Sequence, residues 1–452
     1  MHFDDTIAAI ATAAGQGGIA ILRISGPDAG NVLRRVFHPA KGEKEAFPSH
    51  LLVYGHVVRG NEKIDEAMAV LMRSPRSYTR EDVAEIHTHG GQVMAGLALE
   101  LALAAGARQA EPGEFTRRAF LNGRLDLSQA EAVMGLISAG GRQAAKAAMR
   151  QLGGGPSQFI REALDRLFGL MAGLEAAIDY PEEVEEAEAT SSLRDGVLTL
   201  ANRLEDACDE RGVKMLEHGM DVVLCGRPNV GKSSLLNALL GEDRAIVTDV
   251  PGTTRDILTG SIEINGLPVT LSDTAGLRDT SDTVEKIGVL RAQKAVAQAD
   301  VVLLMIDAGQ LLSREDEDLL LSPPEGEFAV VLNKSDLAPM VSLEKIQELC
   351  PFAPVLALSA RTGEGLKELK AYLAQKAGEP SRLAITASRH LAAARRAVTS
   401  LRQAALSLAS GVPLDLAAVD MRDALSALSE ITGDEVEERI LDQVFSQFCV
   451  GK

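Results

Sequence analysis

No stretch of this sequence approaches the roughly 18–20 uninterrupted apolar residues that a membrane-spanning helix requires, so no membrane partner is expected. The N-terminus carries Asp4 and Asp5 and lacks the basic-then-apolar run of a secretory signal. Cysteine is sparse. Cys208, Cys225, Cys350 and Cys449 are scattered, and form neither a disulfide framework nor a paired metal-ligand spacing. Reduced thiols and a cytoplasmic location are the expectation. Positive charge is also short, with 46 Lys and Arg against 64 Asp and Glu and a net charge of −18. Such a field repels phosphate backbones and argues against broad nucleic-acid binding, while leaving room for a local basic patch on one structured RNA. Internal repeats and low-complexity tracts are missing as well.

What is present divides into regimes. A chain of 452 residues exceeds the length over which one core keeps growing, so two or three domains are expected. Residues 1–120 mix short β-like runs, Ile19–Ile24 and Leu51–Val58, with turn clusters and an alanine-rich helix. Helical patterning follows over 121–216. Ser128 and Glu131 have the spacing of a capping box, and Ile160, Leu164, Leu167, Met171, Leu174 and Ile178 repeat at four and three. Between 217 and 379 strands and helices alternate, with strands expected at Val222–Cys225, Ser261–Ile264, Val269–Ser272, Val301–Ile306, Ala329–Leu332 and Val355–Leu358. The helical pattern resumes over 380–452, with Leu391, Ala394, Val398, Leu401, Ala405 and Leu408 at three and four. An α/β domain inserted between two halves of a helical domain, behind a separate α+β domain, is the simplest architecture.

The inserted segment carries the most specific chemistry. Gly226-Arg-Pro-Asn-Val-Gly-Lys-Ser233 fits the P-loop pattern and lies between an apolar strand and a helix. Backbone N–H groups from Asn229, Val230, Gly231 and Ser234 would wrap phosphates at the positive end of the helix. Lys232 would reach the β- and γ-phosphates and Ser233 would ligate Mg2+. Asp273-Thr274-Ala275-Gly276 ends a strand, its carboxylate placed to hold the metal through water and its Gly276 N–H to sense the γ-phosphate. Asn333-Lys334-Ser335-Asp336 follows a later strand. Asp336 offers two acceptors to the N1–H and exocyclic amine of guanine, a donor pair adenine lacks, so GTP is selected over ATP. Ser359, Ala360 and Arg361 would complete the base pocket. In Thr248-Asp249-Val250-Pro251-Gly252-Thr253-Thr254, Thr254 is the candidate second Mg2+ ligand. One piece is absent. Many GTPases orient the attacking water with a glutamine directly after Asp-x-x-Gly, and here that position is Leu277.

The strings GRPNVGKSSLLNAL, VTDVPGTTRD, DTAGLR, NKSD and FCVGK resemble the MnmE (TrmE) family of tRNA-modification GTPases. DDTIAAIAT, GGIAILRISG, EIHTHGG, EPGEFTRRAFLNGRLDLSQAEAV and LSEITGD resemble it too, so the likeness spans essentially the whole chain. It implies an N-terminal α+β folate-binding, aminomethyltransferase-like domain that mediates homodimerisation, a discontinuous helical domain and an inserted Ras-like P-loop GTPase domain. It places contacts to 5-formyl-tetrahydrofolate, or another tetrahydrofolate derivative, on Arg23, Glu85, Arg124 and Lys452. It also implies K+ held by Asn229, Thr248, Val250 and Thr253, with the water-orienting glutamate at Glu285 answering the absence at Leu277. The implied work is modification of the wobble uridine of certain tRNAs at C5, with the FAD-dependent partner MnmG in a heterotetramer or larger complex.

Several residues keep two readings. Cys449 in Phe448-Cys-Val-Gly-Lys452 is either a reactive, catalytic thiol or a small apolar residue beside Phe448 and Val450. Arg117, Arg118, Arg142, Lys146 and Arg150 are either tRNA or partner contacts or solvated helix positions. His87 and His89 share a strand face, but with no third ligand nearby a structural turn is favoured over metal. The alternative function is a ribosome-assembly GTPase switch, which predicts an appended basic RNA module that the sequence does not contain.

Overall fold

A computed structural model describes residues 4–41, 47–179, 186–242, 259–273, 294–382, 384–434 and 438–451. They form two compact units, one of Met1–Met134, Gln151–Glu205 and Ala393–Lys452, the other of Gly135–Arg150 and Asp206–Ala392.

The first unit opens with a seven-stranded sheet of β1 (Ile7–Ile10), β2 (Ile19–Ser25), β3 (Phe37–Pro39), β4 (Val53–Arg59), β5 (Glu62–Met72), β6 (Val83–His89) and β7 (Arg108–Gln109), in the order β3-β4-β5-β6-β2-β1-β7. Strand alternation decides which side chains are free for chemistry. Leu22 and Ile24 of β2 and Ala84 and Ile86 of β6 join a core with Val32 and Leu33 of the helix Ala29–Val36 and Ala98 of the helix Gln92–Ala104. Arg23, Glu85 and His87 have the opposite parity and lie on the other face.

The same unit holds long helices whose apolar stripes close a second core. Ile160, Leu164, Leu167 and Leu174 of the helix Gly155–Asp179 pack with Leu200, Leu204, Val398, Leu401, Leu408 and Met421, with Met171 and Ile178 half-buried at its margin. The expected capping box is displaced. The helix starts at Leu127, and the reciprocal bonds belong to Asp126 and Gln129: the Gln129 N–H donates to Asp126 Oδ1 at 2.8 Å, and the Asp126 N–H to Gln129 Oε1 at 3.0 Å. A carboxylate at the positive end of the helix dipole outcompetes the Ser128 hydroxyl, which is buried in the first turn.

The second unit is an α/β/α sandwich on a six-stranded sheet, β8 (Met220–Cys225), β9 (Thr259–Ile264), β10 (Leu267–Asp273), β11 (Val301–Asp307), β12 (Phe328–Asn333) and β13 (Val355–Ala357). The order is β13-β12-β11-β8-β10-β9, parallel except for the β9–β10 hairpin. The six expected strands are present with ends shifted by a few residues, the last stopping at Ala357 instead of Leu358. β11 is buried along its whole length, as a central parallel strand covered on both faces must be. Leu303 and Met305 pack toward Leu235, Leu239 and Leu369 on one side, while Leu304 and Ile306 pack toward Leu320 and Ile346 on the other. Among the described residues no helix is long and apolar enough to cross a membrane.

Candidate functional site

The carboxyl ends of β8, β10, β11 and β12 converge in the second unit, and the polar residues singled out from the sequence lie there. After β8 the chain turns through Gly226–Gly231 into the helix Lys232–Glu242. Two glycines make that turn possible. At Gly226 (φ 141°) an added Cβ would meet Met305 O at 2.4 Å, and at Gly231 (φ 99°) it would meet Asn333 Nδ2 at 2.2 Å. Asn229 also adopts a left-handed φ of 62°. Lys232 is buried, and its ammonium donates to Gly226 O and Arg227 O, both at 2.8 Å, so the loop is curled around its own lysine.

Ser233, at the start of the helix, donates through Oγ to Asp273 Oδ2 at 2.8 Å, bringing two hard oxygen donors to one point beside the loop. That donor set fits Mg2+, which Ser233 would hold directly and Asp273 through water. The segment Asn333–Asp336 is tied to the loop by two bonds and to its other neighbours by two more. Asn333 Nδ2 donates to Val230 O at 2.8 Å, and Lys334 Nζ donates to Asn229 O at 3.0 Å and to the buried Asp307 at 2.6 Å. The Ala360 N–H donates to Asn333 Oδ1 at 3.0 Å. Asp336 takes the Ser359 hydroxyl on Oδ1 at 2.7 Å and faces Arg361 Nη2 with Oδ2 at 3.0 Å. The Ser359 bond, with help from Arg361, holds the Asp336 carboxyl below its ordinary range, so it stays an acceptor. The Ser335 N–H donates to Leu358 O at 3.1 Å, and Ser234 is exposed on the first turn of the helix.

Thr248, Asp249, Val250, Pro251, Gly252, Thr253, Thr254, Thr274, Ala275, Gly276, Leu277, Glu285 and Lys452 lie outside the described residues.

One further contact at the loop joins segments far apart in the chain. Arg227 reaches Asp316, 2% exposed, with Nε at 2.9 Å from Oδ2, and Asp316 is the N3 residue of a capping box closed by Ser313. A Ser-x-x-Asp spacing ahead of the helix Arg314–Leu321 was the available signal for the box. Nothing local pointed from it to Arg227.

A second polar site forms in the first unit. The β2–β6 register sets Arg23 opposite Glu85, with Nε 2.9 Å from Oε1. The Arg23 guanidinium lies 5.4 Å from the Tyr78 ring and 5.8 Å from that of Phe115, and Nη1 approaches Gly451 O at 3.5 Å. Arg124 lies over Tyr78 at 4.7 Å, and the Tyr78 hydroxyl is 2.9 Å from Thr116 Oγ1. Cys449 is exposed in the segment that bridges Pro112 to Val450, and the Gly113 N–H points at Cys449 O at 3.5 Å. Tyr78, Phe115 and Thr116 were not singled out from the sequence, because only the sheet brings them to Arg23. His87 Nε2 stands 3.5 Å from Glu85, whereas His89 binds Asp65 at 2.7 Å, which raises its pKa. Among the described residues no group of three His, Cys, Asp or Glu is arranged to hold a metal ion.

Arg118 corrects both of its readings. It is fully buried, pairing with Asp5 at 2.7 Å, Glu114 at 2.9 Å and Glu81 at 3.2 Å. Helix periodicity turns it inward, where carboxylates offset its desolvation, so it meets neither solvent nor RNA. Arg117 faces Asp442 at 3.5 Å, Arg142 faces Glu263 at 3.2 Å, Arg150 donates to Arg382 O at 2.9 Å, and Lys146 is exposed.

A strand, a glycine loop with no room for side chains at Gly226 and Gly231, a helix start with paired oxygen donors and the Asn333 segment bonded to the loop define a P-loop nucleotide-binding protein. The comparisons with known proteins extend this to the whole chain. Residues 6–124 match the model described as GTP-binding protein TrmE N-terminus, and residues 127–449 match the MnmE helical domain. The protein named tRNA modification GTPase MnmE from Symbiobacterium thermophilum is 49% identical over 99% of this chain and 100% of its own length. Its namesake from Lactiplantibacillus plantarum is 44% identical over 99% of this chain and 98% of its own. The solved Era of Aquifex aeolicus bound to GDP and AlF4− is 28% identical over 40% of this chain and 66% of that chain, with a TM-score of 0.29, too partial a likeness to add to these matches. The chain belongs to the MnmE family of tRNA modification GTPases, and it is a GTPase.

Proposed function

We propose that this GTPase acts in the modification of the wobble uridine of certain tRNAs at C5, in the cytoplasm, with the FAD-dependent partner MnmG in a heterotetramer or larger complex. The product carries an aminomethyl or carboxymethylaminomethyl group built with a one-carbon unit from 5-formyl-tetrahydrofolate or another tetrahydrofolate derivative. The observation that carries this reading is the full-length match to proteins named for tRNA modification, across the N-terminal segment as well as the helical one.

In this reading segments 1–120, 121–216, 217–379 and 380–452 work as an N-terminal domain, a helical domain in two parts and a G domain. GTP lies on Asn229 to Ser234, with Mg2+ on Ser233 and Thr254, Lys232 at the phosphates, and Asp249, Pro251, Gly252 and Thr274 to Gly276 around them. Asn333 to Asp336 and Ser359 to Arg361 hold the base. K+ sits on Asn229, Thr248, Val250 and Thr253, and Glu285 orients the water. Folate occupies Arg23, Glu85, Arg124 and Lys452, with Cys449 as a candidate catalytic thiol nearby. The Arg23–Glu85 pair beside the half-buried Tyr78 ring supports the folate site, since a pteridine needs both stacking surface and fixed polar partners. Self-association is supported by apolar side chains on the outer face of the N-terminal sheet, where Ile19 is 64%, Tyr54 48% and Met68 38% exposed.

The deciding experiment is nucleoside analysis of tRNA from cells lacking this protein. C5-modified wobble uridines should disappear, and intact nucleosides with altered ribosomal subunits would sink the reading in favour of the assembly switch.

A further inference from the structure

Arg76, Arg80 and Arg124 line one cleft of about 520 Å³ beside Tyr78, with Met72 and Pro75 as apolar wall. No acidic side chain lines it, and among the described residues none of the three guanidiniums forms an ion pair. Arg80 instead donates to Asn122 O at 3.0 Å. Three unpaired cations in one cleft of a chain of net charge −18 repel one another, and an anion between them would relieve that repulsion. Arg80 also holds a left-handed backbone, φ 59°, which a residue with a Cβ adopts at some cost. The cleft adjoins the second polar site, because the Tyr78 ring that carries Arg124 at 4.7 Å also carries Arg23 at 5.4 Å.

We propose that this cleft binds the γ-linked glutamate tail of a reduced folate whose ring system lies at Arg23 and Glu85, an inference that rests on the folate reading above. Each added γ-glutamyl unit brings one more carboxylate, and a guanidinium fork matches a carboxylate with two parallel N–H donors. Methylene stems of the tail meet Met72 and Pro75. An RNA backbone needs basic groups continuing beyond the cleft, and the neighbouring Arg73 is instead committed to Asp82 at 2.8 Å. A short flexible polyanion suits the site better.

The test compares binding of (6S)-5-formyl-tetrahydrofolate as the monoglutamate and as the triglutamate to the full chain, by calorimetry, in the wild type and in Arg76→Gln and Arg80→Gln. The triglutamate should bind about three- to tenfold tighter, the range expected of a few exposed charge pairs, and the preference should fade in high salt. Both variants should lose most of the preference while keeping the monoglutamate affinity. Arg80→Gly separates charge from fold: it relieves the left-handed backbone, so its melting temperature should hold or rise while the preference still falls. Equal affinities for the two folates in the wild type would overturn the inference alone. Variants that weaken both ligands equally, or that keep the preference, would overturn it as well. Failure of the wild type to bind either folate would remove the folate reading itself.

Discussion

Asp336 shows how much a single side chain can decide. One of its oxygens is occupied by Ser359 and the other faces Arg361, so its two acceptors are oriented before any base arrives. Asp336→Asn replaces an acceptor by a donor, which suits the carbonyl that xanthine carries where guanine has an amine. The variant should therefore lose GTP hydrolysis by a factor of 100 or more at low nucleotide, on the order of the discrimination a buried polar mismatch gives, and recover it with XTP. Unchanged GTP turnover in a steady-state assay would remove Asp336 from base recognition. Arg118 makes a different residue-scale argument. Burial raises the carboxyl of Glu114, but bonds from Arg108, the Glu111 N–H and Arg118 outweigh it and leave its pKa lowered. The stability from this pair is thus complete above the ordinary carboxylate value near 4 and is lost as pH falls through the lower folded value. Melting temperature should fall on acidification in the wild type. In Glu114→Gln it should start lower and change less over that same interval.

The P-loop is not held by its glycines alone at the scale of elements. Arg227 links it to the capping box of Arg314–Leu321, and Arg227 O accepts from Lys232. Asp316→Ala removes the N3 half of the capping box and strands a partly buried guanidinium, a loss of about 2–4 kcal/mol. Urea denaturation should show that loss, together with a several-fold weaker GTP affinity. A variant that loses stability but keeps full affinity would mean the link does not shape the loop. Much of this unit could be read from the sequence, because a parallel strand buried on both faces writes itself as an apolar run, as Val301–Ile306 does, and because a phosphate loop demands glycines at fixed spacing. The link to Asp316 could not, since it joins side chains 89 residues apart through the sheet order. Arg23 and Glu85 became a pair for the same reason, through a register that only pairing of β2 with β6 sets. The shift of the cap from Ser128 to Asp126 came from two overlapping signals, of which charge at the helix start decided the outcome.

For the whole molecule, the central expectation is cooperation between copies. If K+ at Asn229 and its neighbours brings two G domains together, turnover per molecule should rise with protein concentration in K+ and stay flat in Na+. Glu285→Ala should lower the rate by about 10²-fold or more while leaving GTP affinity in place, as loss of a water-orienting group does. Rates independent of both cation and concentration would refute the paired arrangement.

The approach of Gly451 O to Arg23, across 428 positions of sequence, also concerns the order in which the molecule is made. At about 5–20 residues per second, a ribosome finishes Gly451 roughly 20–90 s after Arg23. The N-terminal sheet can form early, but the polar site on its outer face then waits until Gly451 has left the ribosome. If the folate reading holds, chains stalled on the ribosome before Gly451 has emerged should retain less folate than chains in which Gly451 can reach Arg23.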